Sequence, residues 1–106
     1  MGGCFCCGFV KMDIDRKIHE PARLAIMTLL SAAEWTDFAS ICLILRLTRG
    51  NLSSHISRLE RCGYVQVKKS IVGRTPHTDY RLTKSGGKAL NDYWSAIDSI
   101  RKLGKA

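Results

Sequence analysis

The run TRGNLSSHISRLERCG, residues 48–63, constrains the fold most, because it opens on a helix cap and closes on a helix stop. Thr48 is the expected N-cap, its hydroxyl placed to accept a backbone N–H of the first turn. Gly63 is the expected residue just past the helix, where a left-handed conformation ends the run at little cost. On a wheel of about 100° per residue, Leu52, Ile56 and Leu59 fall within about 60° of one another, the stripe that a helix docks on a core. Gly50, Ser54, Ser57 and Arg61 lie opposite; Asn51 and Arg58 share one flank, Arg49 and Ser53 the other. The outer surface is therefore polar, built of small side chains and edged with arginine. Small residues let a helix sink into a DNA major groove about 12 Å wide, where Asn, Ser and Arg reach base edges or phosphate.

The neighbouring sequence supplies a setting for this helix. Upstream, HEPARLAIMTLLSAAE reads as a helix with Pro21 in its first turn and Leu24, Ile26, Met27, Leu29 and Leu30 as its apolar face. Thr36 or Asp37 then caps a second helix, DFASICLILRL, in which Phe38, Ile41, Ile44 and Leu45 recur at helical spacing. Downstream, YVQVKKS favours an extended strand, IVGRTPHT a turn or loop with Arg74 at its tip, and DYRLT a returning strand. Thr83 caps a last helix, KSGGKALNDYWSAIDSIRKLG. The expected order is α-α-α-β-β-α, mainly α with one β-hairpin. The short link between the second and third helices is a helix-turn-helix arrangement, and a basic hairpin beside a groove-reading helix is a wing.

Charge agrees with that layout. The 106-residue chain carries a net charge of +8, enough length for one core. Between Arg46 and Lys88 there are ten Lys or Arg residues against two acids, Glu60 and Asp79, so this span holds the whole excess. A concentrated positive field suits a polyanion, nucleic acid before membrane. Lys68, Lys69 and Arg74 place part of it on the hairpin.

From RLAIMTLL through LTRGNLSSHISRLERCGYV to VGRTPHTDYRLTKSG the chain resembles the winged-helix regulators of the MarR/ArsR-like superfamily, small single-domain prokaryotic type, over roughly residues 12–103. The resemblance implies a homodimeric transcription factor, with helix 48–62 in the major groove and wing 70–78 on the backbone or minor groove of double-stranded DNA. By that match, groove-facing roles fall to Arg49, Asn51, Ser53, Ser54, His55 and Arg58, and a wing role to Arg74. His55 lies about 60° from the core stripe, so a half-buried ring is an equal expectation.

The last helix is longer than so small a domain needs. Leu90, Tyr93, Trp94, Ile97, Ile100 and Leu103 form a stripe at 3- and 4-residue spacing. Its first turns are expected to face the core, and its distal part to pair with a second copy, joined by Ile14 and Ile18. The expected dimer interface is thus Ile14, Ile18, Leu90, Tyr93, Trp94, Ile97 and Ile100. Two-fold pairing would set two recognition helices about 34 Å apart and favour a palindromic site.

Residues 1–11 differ in character, with Cys4, Cys6 and Cys7 in a C-x-C-C run, and read as an N-terminal extension ahead of a domain over residues 12–106, for which Met12 is a natural start. The three thiols offer soft ligands, and a thiol- or metal-responsive sensor is an alternative function. A tetrahedral zinc site needs a fourth ligand, which the spacing does not supply, so no metal or cofactor is assigned. The cysteine pair of ArsR-type metal sensors does not carry over, since SICLIL holds one cysteine, Cys42; Cys42 and Cys62 read as small core residues. His19, His55 and His77 are scattered, no nucleophile–base pair or phosphate-cradling glycine loop is legible, and Gly86-Gly87 lacks a P-loop pattern, so no enzyme is expected. No apolar run approaches the about 18–20 residues of a membrane span. The start lacks a signal peptide's basic region, and Cys6 breaks the myristoylation pattern, which makes a cytoplasmic protein the expectation. Two further readings stand beside a sequence-specific DNA-binding repressor or activator, of which a repressor is the expectation: a winged helix used for protein or RNA contacts, and a regulator gated by a small-molecule effector held between the DNA-binding lobe and the dimer helices.

Overall fold

Among the described residues four helices each begin on a side chain that satisfies an N–H left free by the first turn, and these caps set the element boundaries. The computed structural model describes residues 14–104. Its elements are α1 (Pro21–Ser31), β1 (Thr36–Asp37), α2 (Phe38–Leu45), α3 (Arg49–Arg61), β2 (Val65–Val72), β3 (Thr75–Leu82) and α4 (Lys84–Lys102). Glu20 accepts the Arg23 N–H at 2.9 Å and Pro21 opens α1. Asp37 accepts from Ser40 at 3.0 Å, Thr48 from Asn51 at 3.1 Å and Thr83 from Gly86 at 3.0 Å. Helix α3 stops where expected, with Gly63 at φ 82°.

Three features depart from the sequence expectation. First, Arg46 ends α2 in the left-handed region, φ 56°, which turns the chain sharply enough for α3 to begin three residues later. Second, β1 is an additional strand. It pairs antiparallel with β3, Thr36 opposite Tyr80, so the sheet runs β1-β3-β2. Third, the segment IVGRTPHT is not an open loop: β2 and β3 stay paired from Val65–Leu82 out to Val72–Thr75, and only Gly73 and Arg74 turn. Gly73, at φ 66°, takes the first turn position that two-residue hairpins give to glycine. Pro76 is tolerated opposite Ile71 because the residue next to the closing hydrogen-bonded pair points its nitrogen away from its partner strand. Strand β1 reaches only as far as Asp79, so that outward edge demands no donor at Pro76.

One core joins all four helices to the inner face of the sheet: Ile18, Ile26, Met27, Leu30, Ile41, Leu52, Ile56, Leu59, Val65, Tyr80, Leu90 and Tyr93. The stripe Leu52, Ile56, Leu59 is buried as expected. In α2 only Ile41 is buried; Ile44, expected inward, is exposed with Leu43, while Phe38, Cys42 and Leu45 pack at the core edge.

The expected dimer set needs correction. Ile18, Leu90 and Tyr93 are buried inside the protomer, and the Tyr93 hydroxyl lies 3.0 Å from His19 Nδ1. They face inward because the first half of α4 lies against α1 and the segment before it. Ile14 and Ile97 pack against the same core, Ile100 is half-buried, and Trp94 is the large side chain of the set left exposed, 43%, with Leu103 beyond it. Residues 1–11, with Cys4, Cys6 and Cys7, lie outside the described residues.

Candidate nucleic-acid interface

The buried stripe of α3 leaves Arg49, Gly50, Asn51, Ser53, Ser54, Ser57, Arg58, Glu60 and Arg61 exposed. This outward surface carries one acid and three arginines. Among the described residues the ion pairs are His77–Asp79, Lys88–Asp92, and Asp98 with Arg101 and Lys102. None involves a cation of α3 or of the hairpin tip, so their field is left to solvent or to a ligand.

The two flanks of α3 meet different parts of the fold. On one, the Arg49 guanidinium carbon sits 5.0 Å from the centroid of the Phe38 ring, a cation–π contact that steadies it at the mouth of a cleft of ≈ 360 Å³. Lys69 lines the same cleft from β2, together with Asp37, His77 and Tyr80. The Asp37 carboxyl is held below the ordinary range by the Ser40 hydroxyl and then by the Ser40 N–H, so it stays ionised in its cap. On the other flank His55 is half-buried, its Nδ1 3.3 Å from Arg23 Nη1. Guanidinium only donates, so Nδ1 is the acceptor in this contact. The groove-facing role assigned to His55 is corrected: the ring turns toward α1 and steadies Arg23.

Lys68 also needs correction. Side chains alternate along a strand, and Val65 is buried and Val67 half-buried on the inner face, so Lys69 shares that side and Lys68 does not. Lys68 Nζ lies 4.7 Å from the centroid of Trp35, and the Arg81 guanidinium carbon 4.8 Å from the same ring. Arg81 is held further by donating from Nε to Gln66 Oε1 at 2.9 Å. These two cations clasp the indole on the far side of the sheet, away from α3. Arg74 stands exposed in the hairpin turn as expected, next to Ile71 and Val72, whose exposure the sequence reading missed. Strand alternation would have shown Lys69 and Ile71 sharing one face.

No group of three or more His, Cys, Asp or Glu side chains able to hold a metal occurs among the described residues. No described helix is long and apolar enough to cross a membrane. The exposed cations converge on a surface, not on a catalytic constellation.

Known proteins share this arrangement. The family described as winged helix DNA-binding domain matches residues 22–100. An uncharacterized protein of Methanocaldococcus jannaschii is 37% identical over 80 residues, covering 76% of this chain and 87% of the relative. A transcriptional regulator homologue from Pyrococcus horikoshii has a solved structure that superposes with a TM-score of 0.81 at 33% identity, covering 87% of this chain and 91% of that one. A regulator of MarR family from Enterococcus faecalis shares the fold, with a TM-score of 0.67 at 20% identity and coverage of 88% and 91%. The match spans the helix-turn-helix, the hairpin and most of α4, and this chain belongs to the winged helix DNA-binding domain family, a group of transcriptional regulators and not of enzymes.

Proposed function

We propose that the protein is a sequence-specific repressor that binds duplex DNA as a homodimer. Helix α3 enters the major groove and the β2–β3 hairpin lies on the adjacent backbone or minor groove. The observation that carries this reading is the outward face of α3: Asn51, Ser53 and Ser54, small and exposed, between Arg49 on one side and Arg58 and Arg61 on the other, with no ion-pair partner among the described residues. Asn and Ser contact base edges and specify; Arg49, Arg58, Lys69 and Arg74 contact phosphate and position. Dimerisation rests on the distal half of α4, where Trp94 and Leu103 are exposed beside half-buried Ile97 and Ile100. A bound dimer represses by occupying the site that polymerase needs.

Selection from a random duplex pool at near-physiological salt tests the specificity. The expected product is a palindrome with half-sites about 34 Å apart. Retention of every sequence alike would refute sequence-specific binding, and unchanged transcription from a promoter carrying the selected site would refute repression.

A cleft of ≈ 740 Å³ between the end of α1, β3 and α4 supports a second reading, regulation by a small effector. Leu30, Leu82, Leu90 and Trp94 give it an apolar floor, and its rim carries Arg81 and Lys84 against one acid, Glu34. A screen of small organic acids by melting temperature tests it; no shift at millimolar ligand would reject it.

A further inference from the structure

We propose that a second cationic recess, on the α1 side of α3, holds a backbone phosphate of the bound duplex and extends the contact already assigned to Arg58. The recess, ≈ 420 Å³, is lined by Arg16, Lys17, Arg23, Arg58, Arg61 and Cys62. Five cations thus converge from three separate parts of the chain. None is ion-paired among the described residues. Two acids stand beside the recess, bonded to backbone and hydroxyl donors and in no ion pair among the described residues. Asp15 accepts from the Tyr64 hydroxyl and the Lys17 N–H. Glu20 caps α1 through the Arg23 N–H, which, with the Arg23 charge, holds its carboxyl below the ordinary range. Gathering like charges without partners is unfavourable, and an anion in the recess relieves it.

The recess is also built. Arg23 donates from Nε to the Lys17 carbonyl at 2.6 Å, and Nη1 meets His55 Nδ1 at 3.3 Å. These bonds fix the guanidinium and leave its remaining N–H groups for a ligand. Asp15, through Tyr64, ties the segment carrying Arg16 and Lys17 to the body of the domain.

Continuity with α3 identifies the anion as DNA. Arg61 lies opposite the core stripe, on the face assigned to the groove, and Arg58 lies on the adjoining flank. The Arg49–Lys69 cleft occupies the other flank. A helix in a major groove has a phosphate strand on each side, so the two clefts meet the two strands. This inference rests on the proposed DNA-binding reading and adds Arg16, Lys17, Arg23 and Arg61 to it.

The test compares the full-length protein with two double variants, Arg16→Gln/Lys17→Gln and Arg49→Gln/Lys69→Gln, by fluorescence anisotropy on a mixed-sequence duplex across a salt series. Arg16 and Lys17 are exposed, and Lys17 holds Arg23 through its carbonyl, so the first variant keeps the fold; matching melting curves check this. The expected result is about tenfold weaker binding for each variant, with the log–log salt slope shallower by about 0.9 for the one phosphate lost from that cleft. Weakening by the second variant alone would overturn the recess and keep the DNA-binding reading. Failure of the unaltered protein to bind duplex would overturn both. Inorganic phosphate or pyrophosphate, titrated against the melting temperature, forms the remaining arm. Stabilisation abolished by Arg16→Gln/Lys17→Gln, with duplex binding unchanged, would assign the recess to a free anion and overturn the proposal.

Discussion

Gly86 and Gly87 stand side by side in the first turns of α4, and replacing each by alanine is expected to move stability in opposite directions. Helix propensity alone favours both changes, since glycine in a helix interior is about 1 kcal/mol worse than alanine. At Gly87 the added methyl meets only Leu82 Cδ2 at 4.0 Å, an ordinary contact, so the propensity gain survives. At Gly86 it would sit 2.3 Å from the Tyr64 carbonyl oxygen, 3.0 Å from the carbonyl carbon and 3.1 Å from Leu82 Cδ1. Ordinary contact begins near 3.4 Å, so α4 and the start of β2 must part by about 1 Å. Neither yields easily. The Tyr64 carbonyl accepts the Thr83 N–H at 2.9 Å, and the Gly63 carbonyl accepts the Thr83 and Ser85 hydroxyls at 2.6 and 2.9 Å. Overpacking costs about 1–3 kcal/mol, and each hydrogen bond stretched out of range about 1 more. Set against the propensity gain, Gly86→Ala is expected to lose about 2 kcal/mol. Urea unfolding followed by circular dichroism measures it, as a midpoint lowered by about 1 M for Gly86→Ala and raised for Gly87→Ala. A Gly86→Ala midpoint at or above the unaltered protein's would mean that the helix–strand contact is looser than its geometry says.

Thr48→Ala, which removes the hydroxyl that accepts the Asn51 N–H, is expected to cost about 1 kcal/mol of stability, read from the same urea midpoint. Lys69→Gln should weaken binding to every duplex and flatten the salt slope by about 0.9, whereas Lys68→Gln, on the far face against Trp35, should leave the slope unchanged. Trp94→Ala should shift sedimentation at micromolar concentration from dimer to monomer while leaving the far-ultraviolet circular dichroism unchanged, because that side chain is 43% exposed in the protomer. Asp37 has its folded value lowered from the ordinary 3.8, so its cap stabilises above about pH 4 and is lost as the pH falls through the lowered value. The stability gap between the unaltered protein and Asp37→Asn, measured from pH 7 down to pH 2, should shrink on acidification.

What the sequence revealed follows the range of the interactions involved. The bounds and buried stripe of α3 depend on residues within one or two turns, Thr48, Leu52, Ile56, Leu59 and Gly63, so they were legible. β1 was not, because two residues carry no periodicity and Asp37 already read as a cap; its pairing with Asp79 is set by the tertiary fold. The left-handed Arg46 also left no local mark, since the usual glycine is missing and the conformation follows from docking Leu45 and Leu47 on the core edge. Lys68 and Lys69 are a different case. The signal is present in VQVKK, where Val65 and Val67 fix the inward parity and put Lys69 with them, but assigning both lysines to the hairpin by charge alone passes over it. His55 was legible to within its ambiguity: an angle at the border of the core stripe says half-buried, and only Arg23 decides which way the ring is used.

The same distinction bears on how charge should be read. The excess between Arg46 and Lys88 counted as one positive block, yet the fold divides it by face. Lys68 and Arg81 are placed on Trp35, behind the sheet, and Lys88 pairs with Asp92 on α4. Meanwhile Arg16, Lys17 and Arg23, from a stretch that looked electrically balanced, join Arg58 and Arg61 around one recess. Counting charge along the chain therefore marks the arginine-edged helix α3 and misses the cationic surface around it. The quantity that governs phosphate binding is the number of unpaired cations on one face, which depends on strand parity and on how α1 docks on α3.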